Sequence, residues 1–197
     1  MDNKLVLLDA DFCNMILEDD NNYQFFQDIF NILNYKPAIH TYVYNEELKL
    51  TNKHIVEFVK SGFIHVIEYN KFLYDDNDKE MYFLSFIDYY DYMNGKKLDN
   101  IQNFEELTLN HKSMNNIGEI HSLLTAFYLN IPVFMSNDNG AKDLAHSKIN
   151  SSDFTIIIKN VCDVLCDCKL NNGKLDKRII RSLLKKRTGW KDLYNNI

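Results

Sequence analysis

The sequence predicts a three-layer α/β/α protein, in which helices cover both faces of a central, mostly parallel sheet. Five short apolar runs alternate with segments of helical periodicity, which is typical of strands joined by crossover helices. Continuous runs such as LVLL, PVFM and TIII fit central strands that are buried on both faces. The chain has 197 residues, 46% of them apolar, so we expect a single domain over residues 1–197 with a full core.

Local patterns place the elements in chain order. The predicted strands are residues 4–8, residues 37–41, the stretch GFIHVIE from Gly62, the run PVFM before Asp138, and residues 154–158. The predicted helical segments are residues 23–33, 42–50 and 52–60, the pattern that opens near Glu119, residues 161 to about 170, and about 176–187. Gly173 separates the last two helices.

A segment at about residues 70–115 interrupts the alternation, and we interpret it as a mostly helical insertion. It combines an acidic stretch, an aromatic-rich stretch and a polar segment with GKK. The aromatic residues allow two interpretations, stacking on unpaired bases or packing along one helical stripe, of which packing is the more common. The residues concerned are Tyr82, Phe83, Phe86, Tyr89, Tyr90 and Tyr92.

Composition excludes several classes of protein. The first residues meet two acids before any long apolar run, so we expect neither a signal peptide nor a membrane span, and a cytoplasmic location. Four cysteines without a CxxC pair indicate reduced core thiols. A net charge of −6 disfavours a general nucleic-acid coat, yet residues 169–191 hold nine Lys or Arg and one Asp. This basic stretch is either a solvated helix surface or a face that steers a polyanion.

Acidic residues follow three of the predicted strands. Asp9 and Asp11 come after LVLL, Glu46 and Glu47 come just beyond the second strand, and Asp138 follows PVFM. The carboxyl ends of parallel strands meet at one edge of a sheet, where ligands bind, so we expect these acids to converge there.

Each acid also has a structural interpretation. Asp9 and Asp138 suit helix or loop caps, and Glu119 suits the positive end of the helix that it opens. However, the neighbours of Glu119 on its helix face are Ser122, Leu123 and Ala126, so that side is partly buried. A carboxylate there needs a partner, and this favours a site.

Converging carboxylates predict a site for a hard divalent cation. Without an ion they repel one another and raise each other's pKa. Oxygen ligands suit Mg²⁺ or Mn²⁺, and no His or Cys cluster competes for the ion. Such ions polarise phosphoryl oxygens and lower the pKa of bound water.

The order LLDAD, VYNEE and GEIHSLLTAFYLNIPVFMSND resembles the PIN domain ribonucleases. The resemblance implies an α/β domain with three or four acids around Mg²⁺ or Mn²⁺. It places the first acid at Asp9, with Asp11 beside it, and the second at Glu46 or, one position later, at Glu47. The third falls on Glu119 and the last on Asp138.

The likeness continues through NVCDVLCDCKLNNGKLDKRIIRSLL and covers the chain except for the insertion. Where relatives often carry a second acid after the fourth strand, this chain has Asn137. Ser136, beside it, is in a position where small polar residues of relatives place a phosphate or a water.

The resemblance implies a metal-dependent endoribonuclease, toxin-type or RNA-processing, that hydrolyses phosphodiesters in single-stranded or looped RNA. Asp9, Glu119 and Asp138 would hold the metal, and Glu46 would orient an outer water or a second ion. The residues expected to contact the RNA are Asp11, Ser136, Asn137, Lys177, Arg178 and Arg181, with Lys185 beside them. An antitoxin or another protein partner and a homo-oligomer are compatible with this interpretation.

Two alternatives stay open. A PIN-like protein that binds RNA or a protein partner without cutting would carry the same pattern. LLDAD after a strand also resembles haloacid dehalogenase phosphatases, although Phe12 stands where those have Thr or Val. We interpret His121 and His146 as surface or satisfied histidines and not as general bases.

Overall fold

A computed structural model describes residues 4–98, 101–109 and 115–197. The strands are β1 (Lys4–Leu8), β2 (Tyr35–His40), β3 (His65–Ile67), β4 (Val133–Met135) and β5 (Ile157–Lys159). The helices are α1 (Ala10–Ile16), α2 (Tyr23–Leu33), α3 (Lys53–Lys60), α4 (Asp76–Asn94), α5 (Phe104–Leu107), α6 (Ile117–Tyr128), α7 (Asn139–Leu144), α8 (Val161–Leu170), α9 (Lys177–Leu184) and α10 (Trp190–Asn195). Two π-helical segments, Val43–Leu48 and Ala145–Ile149, complete the regular structure together with short 3₁₀ turns at Asp20–Asn22 and Tyr69–Lys71. Within these ranges no helix has the length and hydrophobicity needed to cross a membrane.

The five strands form one sheet in the order β3-β2-β1-β4-β5, and all neighbours pair in parallel. This confirms the α/β class and the parallel sheet. The chain builds the sheet outwards from β1 in one direction and then crosses to β4 on its other side. The order of strands therefore reverses between β1 and β4, which is the position where open α/β sheets bind ligands.

The two faces of the sheet pack against separate groups of helices. Side chains alternate across a strand, so Val6 and Leu8 of β1 enter one hydrophobic core, and Leu7 enters the other. The first core also receives α1, α2, α3 and α8 to α10, and the second receives α4 to α7. Helices thus cover both faces, as the apolar runs predicted.

Several boundaries match the sequence patterns and others do not. β1, α2 and α8 begin and end as predicted, whereas the last strand is Ile157–Lys159 and not 154–158. The seven residues of α1 were not predicted as a helix, because two turns are too short for a periodic signal. Their start is fixed by Asp9, whose carboxylate accepts a hydrogen bond from the Ala10 N–H at 2.8 Å. Trp190–Asn195, also short, was missed as well.

The aromatic residues of α4 pack inside the molecule. Tyr82, Phe86 and Tyr90 are at most 2% exposed and belong to the second core, and the hydroxyl of Tyr82 lies 2.7 Å from Nδ1 of His121. The packing interpretation is therefore correct for these three rings, and they are inaccessible to bases. Positions 99–100 and 110–114 of the expected insertion lie outside the described residues.

The cysteines behave as core residues. All four are free and buried, and the Cys162 thiol donates a hydrogen bond to the Trp190 carbonyl oxygen at 3.4 Å. Burial, the largest cause, raises the pKa of Cys162 to about 12. The four free, buried thiols agree with the expected reduced core.

Candidate functional site

The candidate site lies at the carboxyl edge of the sheet, where β1 and β4 end side by side. Asp9 follows β1 and is 1% exposed. Its Oδ1 accepts the hydrogen bond from Ala10, and its Oδ2 accepts one from the Ser136 hydroxyl at 3.0 Å. The Ser136 Oγ in turn accepts a hydrogen bond from the Asp138 N–H at 3.1 Å. Ser136 therefore ties the ends of the two strands together and fixes the carboxylate of Asp9.

Asp138 caps a helix, as its structural interpretation predicted, but it also belongs to this edge. Its side chain accepts a hydrogen bond from the Gly140 N–H at the start of α7. Its carboxylate also interacts electrostatically with Glu119. The capping and the site interpretations are thus compatible.

Of the two positions left open for the second acid, Glu46 and Glu47, it is Glu47 whose carboxylate lies against the start of α6. Both lie in the π-helical segment Val43–Leu48, in which the Lys49 N–H bonds to the Tyr44 carbonyl five residues back at 2.8 Å. Such a turn holds an extra residue and so rotates the side chains relative to an α-helix. Glu47 consequently interacts with Asp9 and Glu119, whereas Glu46 influences the pKa of neither.

Gly118 makes room for Glu47. This residue lies in the first turn of α6, beside Glu119, and a Cβ placed on it would overlap the Oε1 atom of Glu47. The close approach explains why glycine precedes Glu119. It also shows that the Glu47 carboxylate lies against the start of α6.

The carboxylates perturb one another strongly. Burial, and then the charges of Glu119 and Glu47, raise the pKa of Asp9 well above its ordinary value, against the effect of its two hydrogen bonds. Burial, and then the charge of Glu119, raise the pKa of Glu47 from 4.5 to about 7. Burial also raises the pKa of Glu119, and the charges of Asp138 and Asp11 add to this effect.

Glu119 is the centre of this group. It interacts electrostatically with the other four carboxylates, which come from the end of β1, the start of α1, the π-helical segment and the end of β4. We call these five residues the carboxylate cluster: Asp9, Asp11, Glu47, Glu119 and Asp138. The first and the last of them, Asp9 and Asp138, are more than a hundred residues apart in sequence. They meet because parallel strands end at one edge of the sheet.

The donor chemistry of the carboxylate cluster fits Mg²⁺ or Mn²⁺, because it offers only oxygen ligands of negative charge. In the described part of the chain, however, no three His, Cys, Asp or Glu side chains converge tightly enough to form a ready-made metal site. To share an ion, the acids would have to turn about their side-chain torsions.

Arg187 is a basic residue of this edge that the sequence did not single out. Its Nη1 donates a hydrogen bond to the Asn137 carbonyl oxygen at 2.7 Å, and its Nη2 lies 3.6 Å from Oδ2 of Asp11. Its guanidinium carbon lies 5.5 Å from the centre of the Trp190 ring. Because both charged side chains are 40–49% exposed, the ion pair itself contributes at most about 1 kcal/mol.

Asn137, predicted to contact RNA, is mainly a structural residue. It is 3% exposed, and its Oδ1 accepts a hydrogen bond from the Val161 N–H at 3.0 Å, at the start of α8. Together with its bond from Arg187, this places Asn137 between α8 and the C-terminal segment. Its side-chain amide nitrogen has no partner among the described residues.

The predicted RNA-contacting residues of α9 divide between two surfaces. Lys177, Arg181 and Lys185 line one groove of about 570 Å³, whose apolar lining includes Ile180, Leu184 and Tyr194. We call these three basic residues the α9 stripe.

Arg178 lies outside the α9 stripe. It borders a separate cavity and pairs with Asp176, with 3.0 Å between Nη2 and Oδ2. Arg178 therefore lies on a different surface from Lys177 and Arg181.

Beyond α9 the chain contacts first the far end of α1 and then the carboxylate cluster. Just beyond the helix, Lys186 donates a hydrogen bond to the Met15 carbonyl oxygen at the end of α1 and pairs with Glu18. Arg187 follows and reaches Asp11 and Asn137. The segment that follows α9 therefore reaches the site through Arg187.

The buried histidines His40 and His121 pack against each other and against aromatic rings. His121 is fully buried, stacks on His40 with 4.9 Å between ring centres, and contacts Tyr82. Burial lowers the pKa of His40 to about 3, so this ring is neutral at neutral pH. His146 lies on the surface.

Comparisons of the chain with protein-family models, with curated proteins and with solved structures give no match.

Proposed function

We propose that this chain is a PIN-like, metal-dependent endoribonuclease that hydrolyses phosphodiester bonds in single-stranded or looped RNA. One observation carries the proposal: five carboxylates from five segments of the chain interact at the switch point of a parallel sheet. Among the described residues, Arg187 is the one basic residue that forms an ion pair with a carboxylate of the cluster. The site thus has an excess of negative charge that a divalent cation would neutralise.

Three acids are the proposed metal ligands, namely Asp9, Glu119 and Asp138. When bound, Mg²⁺ or Mn²⁺ supplies Lewis acidity towards a phosphoryl oxygen and acidifies a water. Ser136 holds Asp9 in one orientation, so that this ligand is preorganised. Glu47, in the place first expected for Glu46, is close to both buried carboxylates and would orient an outer water or a second ion.

The basic surface supports RNA as the substrate. The chain has a net charge of −6, yet the α9 stripe is a basic strip, and Arg187 a little further along the chain reaches the carboxylate cluster. The members of the α9 stripe are four residues apart, so they lie on one face of the helix. A polyanion would bind along this strip with an affinity that falls as salt rises.

The test is cleavage of mixed RNAs by the purified chain with Mn²⁺, with Mg²⁺ or with a chelator. We expect metal-dependent cleavage by the wild-type chain, loss of cleavage in Asp9→Asn and Glu119→Gln, and little change in the control Glu46→Gln. Thermal unfolding of each variant shows that it is folded. Equal cleavage by all four proteins would mean a contaminant or a different site.

Other outcomes would favour the alternatives. Turnover of small phosphomonoesters with trapping of a phosphorylated Asp9, and no RNA cleavage, would indicate a phosphatase. RNA binding without cleavage under any metal would indicate a binding protein.

A further inference from the structure

We propose that Arg187 binds a phosphate of the RNA backbone beside the carboxylate cluster, and that the phosphate displaces Asp11 from its guanidinium. The proposal rests on the proposed function in so far as the ligand is RNA. It adds a residue that neither the sequence pattern nor the PIN resemblance assigns.

The guanidinium is held at the site by contacts that do not depend on Asp11. Its Nη1 bonds to the Asn137 carbonyl oxygen, and its face lies over the Trp190 ring, which is 6% exposed. Asn137 is itself tied to the start of α8. Arg187 is therefore positioned by the strand-end loop and by a buried aromatic residue.

The contact with Asp11 is weak enough to be exchanged. Strong charge-assisted bonds between a guanidinium and a carboxylate measure about 2.7 to 2.9 Å, and this pair measures 3.6 Å. The charge of Glu119 also repels Asp11. This repulsion offsets part of the free energy that Asp11 gains from its contact with Arg187. An ion bound among the carboxylates would compete for Asp11 as well.

Arginine has the right chemistry for the incoming group. Its planar fork of five N–H donors matches the oxygens of a phosphate. Only one of these donors makes a hydrogen bond within the described residues, to Asn137, so the others are available.

A purely structural role is the competing explanation, since Arg187 also ties the C-terminal segment to the site. Lys186 is the matched control, because it is the neighbouring cation and makes the same kind of tie, to Met15 and Glu18, away from the carboxylate cluster.

The test measures binding of a labelled single-stranded RNA to Glu119→Gln, in which cleavage is silenced. Adding Arg187→Ala should weaken binding about 10- to 100-fold and lower the slope of affinity against salt by about one. Arg187→Lys should restore part of the affinity, and Lys186→Ala should change it by less than about twofold. Unchanged affinity and slope in Arg187→Ala would overturn the proposal.

A double-mutant cycle separates phosphate binding from simple repulsion by Asp11. If phosphate displaces Asp11, then Asp11→Asn should tighten binding, and most of this gain should vanish when Arg187 is also alanine. An equal gain with and without Arg187 would contradict the exchange. Should Arg187→Ala fail to fold, Arg187→Lys in the same cycle gives the test.

Cleavage assays on the chain with an intact Glu119 distinguish the failure of this proposal from the failure of the proposed function. Cleavage of RNA with no effect of Arg187→Ala on KM or kcat would refute the role of Arg187 alone. Binding that depends on Arg187 without any cleavage would refute the nuclease and support the phosphate site.

Discussion

Replacing Glu47 by glutamine should stabilise the metal-free chain at alkaline pH. The carboxyl of Glu47 has a pKa of about 7 in the folded chain against an ordinary value of 4.5, with burial as the largest cause. A folded-state pKa above the unfolded one means that ionisation disfavours the fold. The associated stability is complete below about pH 4.5 and is lost as the pH rises through about 7.

The magnitude follows from the two pKa values. At about 1.4 kcal/mol for each tenfold difference in acid dissociation constant, ionised Glu47 lowers the free energy of unfolding by about 3 kcal/mol at pH 8. At pH 5 the same relation gives about 1 kcal/mol, because only the unfolded chain has begun to ionise. Glutamine has no ionised form, so Glu47→Gln should recover these amounts.

The assay is thermal and urea unfolding in the presence of a chelator, at about pH 5 and about pH 8. For a chain of this size about 3 kcal/mol corresponds to a rise of about 6 to 12 °C in Tm. Glu46→Gln is the matched control, since this neighbour does not influence the carboxylate cluster, and its Tm should stay unchanged. The reasoning fails if Glu47→Gln is no more stable than the wild-type chain at pH 8, or if its gain is the same at both pH values.

Four further outcomes are expected. Mg²⁺ or Mn²⁺ should raise the Tm of the wild-type chain more at pH 8 than at pH 5, and less in Glu47→Gln, because an ion binds the ionised carboxylates of the folded state. Gly118→Ala should turn the Glu47 carboxylate away and lower kcat by about tenfold or more, while thermal unfolding shows that the variant is folded. Ser136→Ala, which removes a hydrogen bond from buried Asp9, should lower the free energy of unfolding by about 1 to 3 kcal/mol in urea titrations. Phe86→Ala should lower it by about 3 to 5 kcal/mol without weakening RNA binding by the folded protein, since the ring is fully buried.

The sequence was sufficient for the class of fold because the central strands are apolar on both faces. β1, α2 and α8 were placed to the residue, since continuous apolar runs and helical spacing mark both their ends. The convergence of the acids also followed from topology, because parallel strands share one carboxyl edge. α1 and α10 were not predicted, since two helical turns or fewer show too little hydrophobic periodicity.

The choice between Glu46 and Glu47 was beyond the sequence for a geometric reason. Sequence reasoning assumes the spacing of an α-helix, and the π-helical segment shifts every following side chain by an extra residue. Arg187 was missed for a different reason. It is one of nine basic residues in a charged stretch, and its contacts with Asn137, Asp11 and Trp190 arise only in the folded chain.

The carboxylate cluster is difficult to explain by stability alone. Capping accounts for Asp9 and Asp138, because each accepts a hydrogen bond from the first turn of a helix. Glu47 and Glu119 have no ion-pair partner among the described residues, and burial raises the pKa of both. Their ionisation therefore opposes folding at neutral pH, whereas glutamine in either position would not. Two such acids favour the folded state when a positively charged ligand is bound beside them. This is the reason to seek an ion at this edge of the sheet.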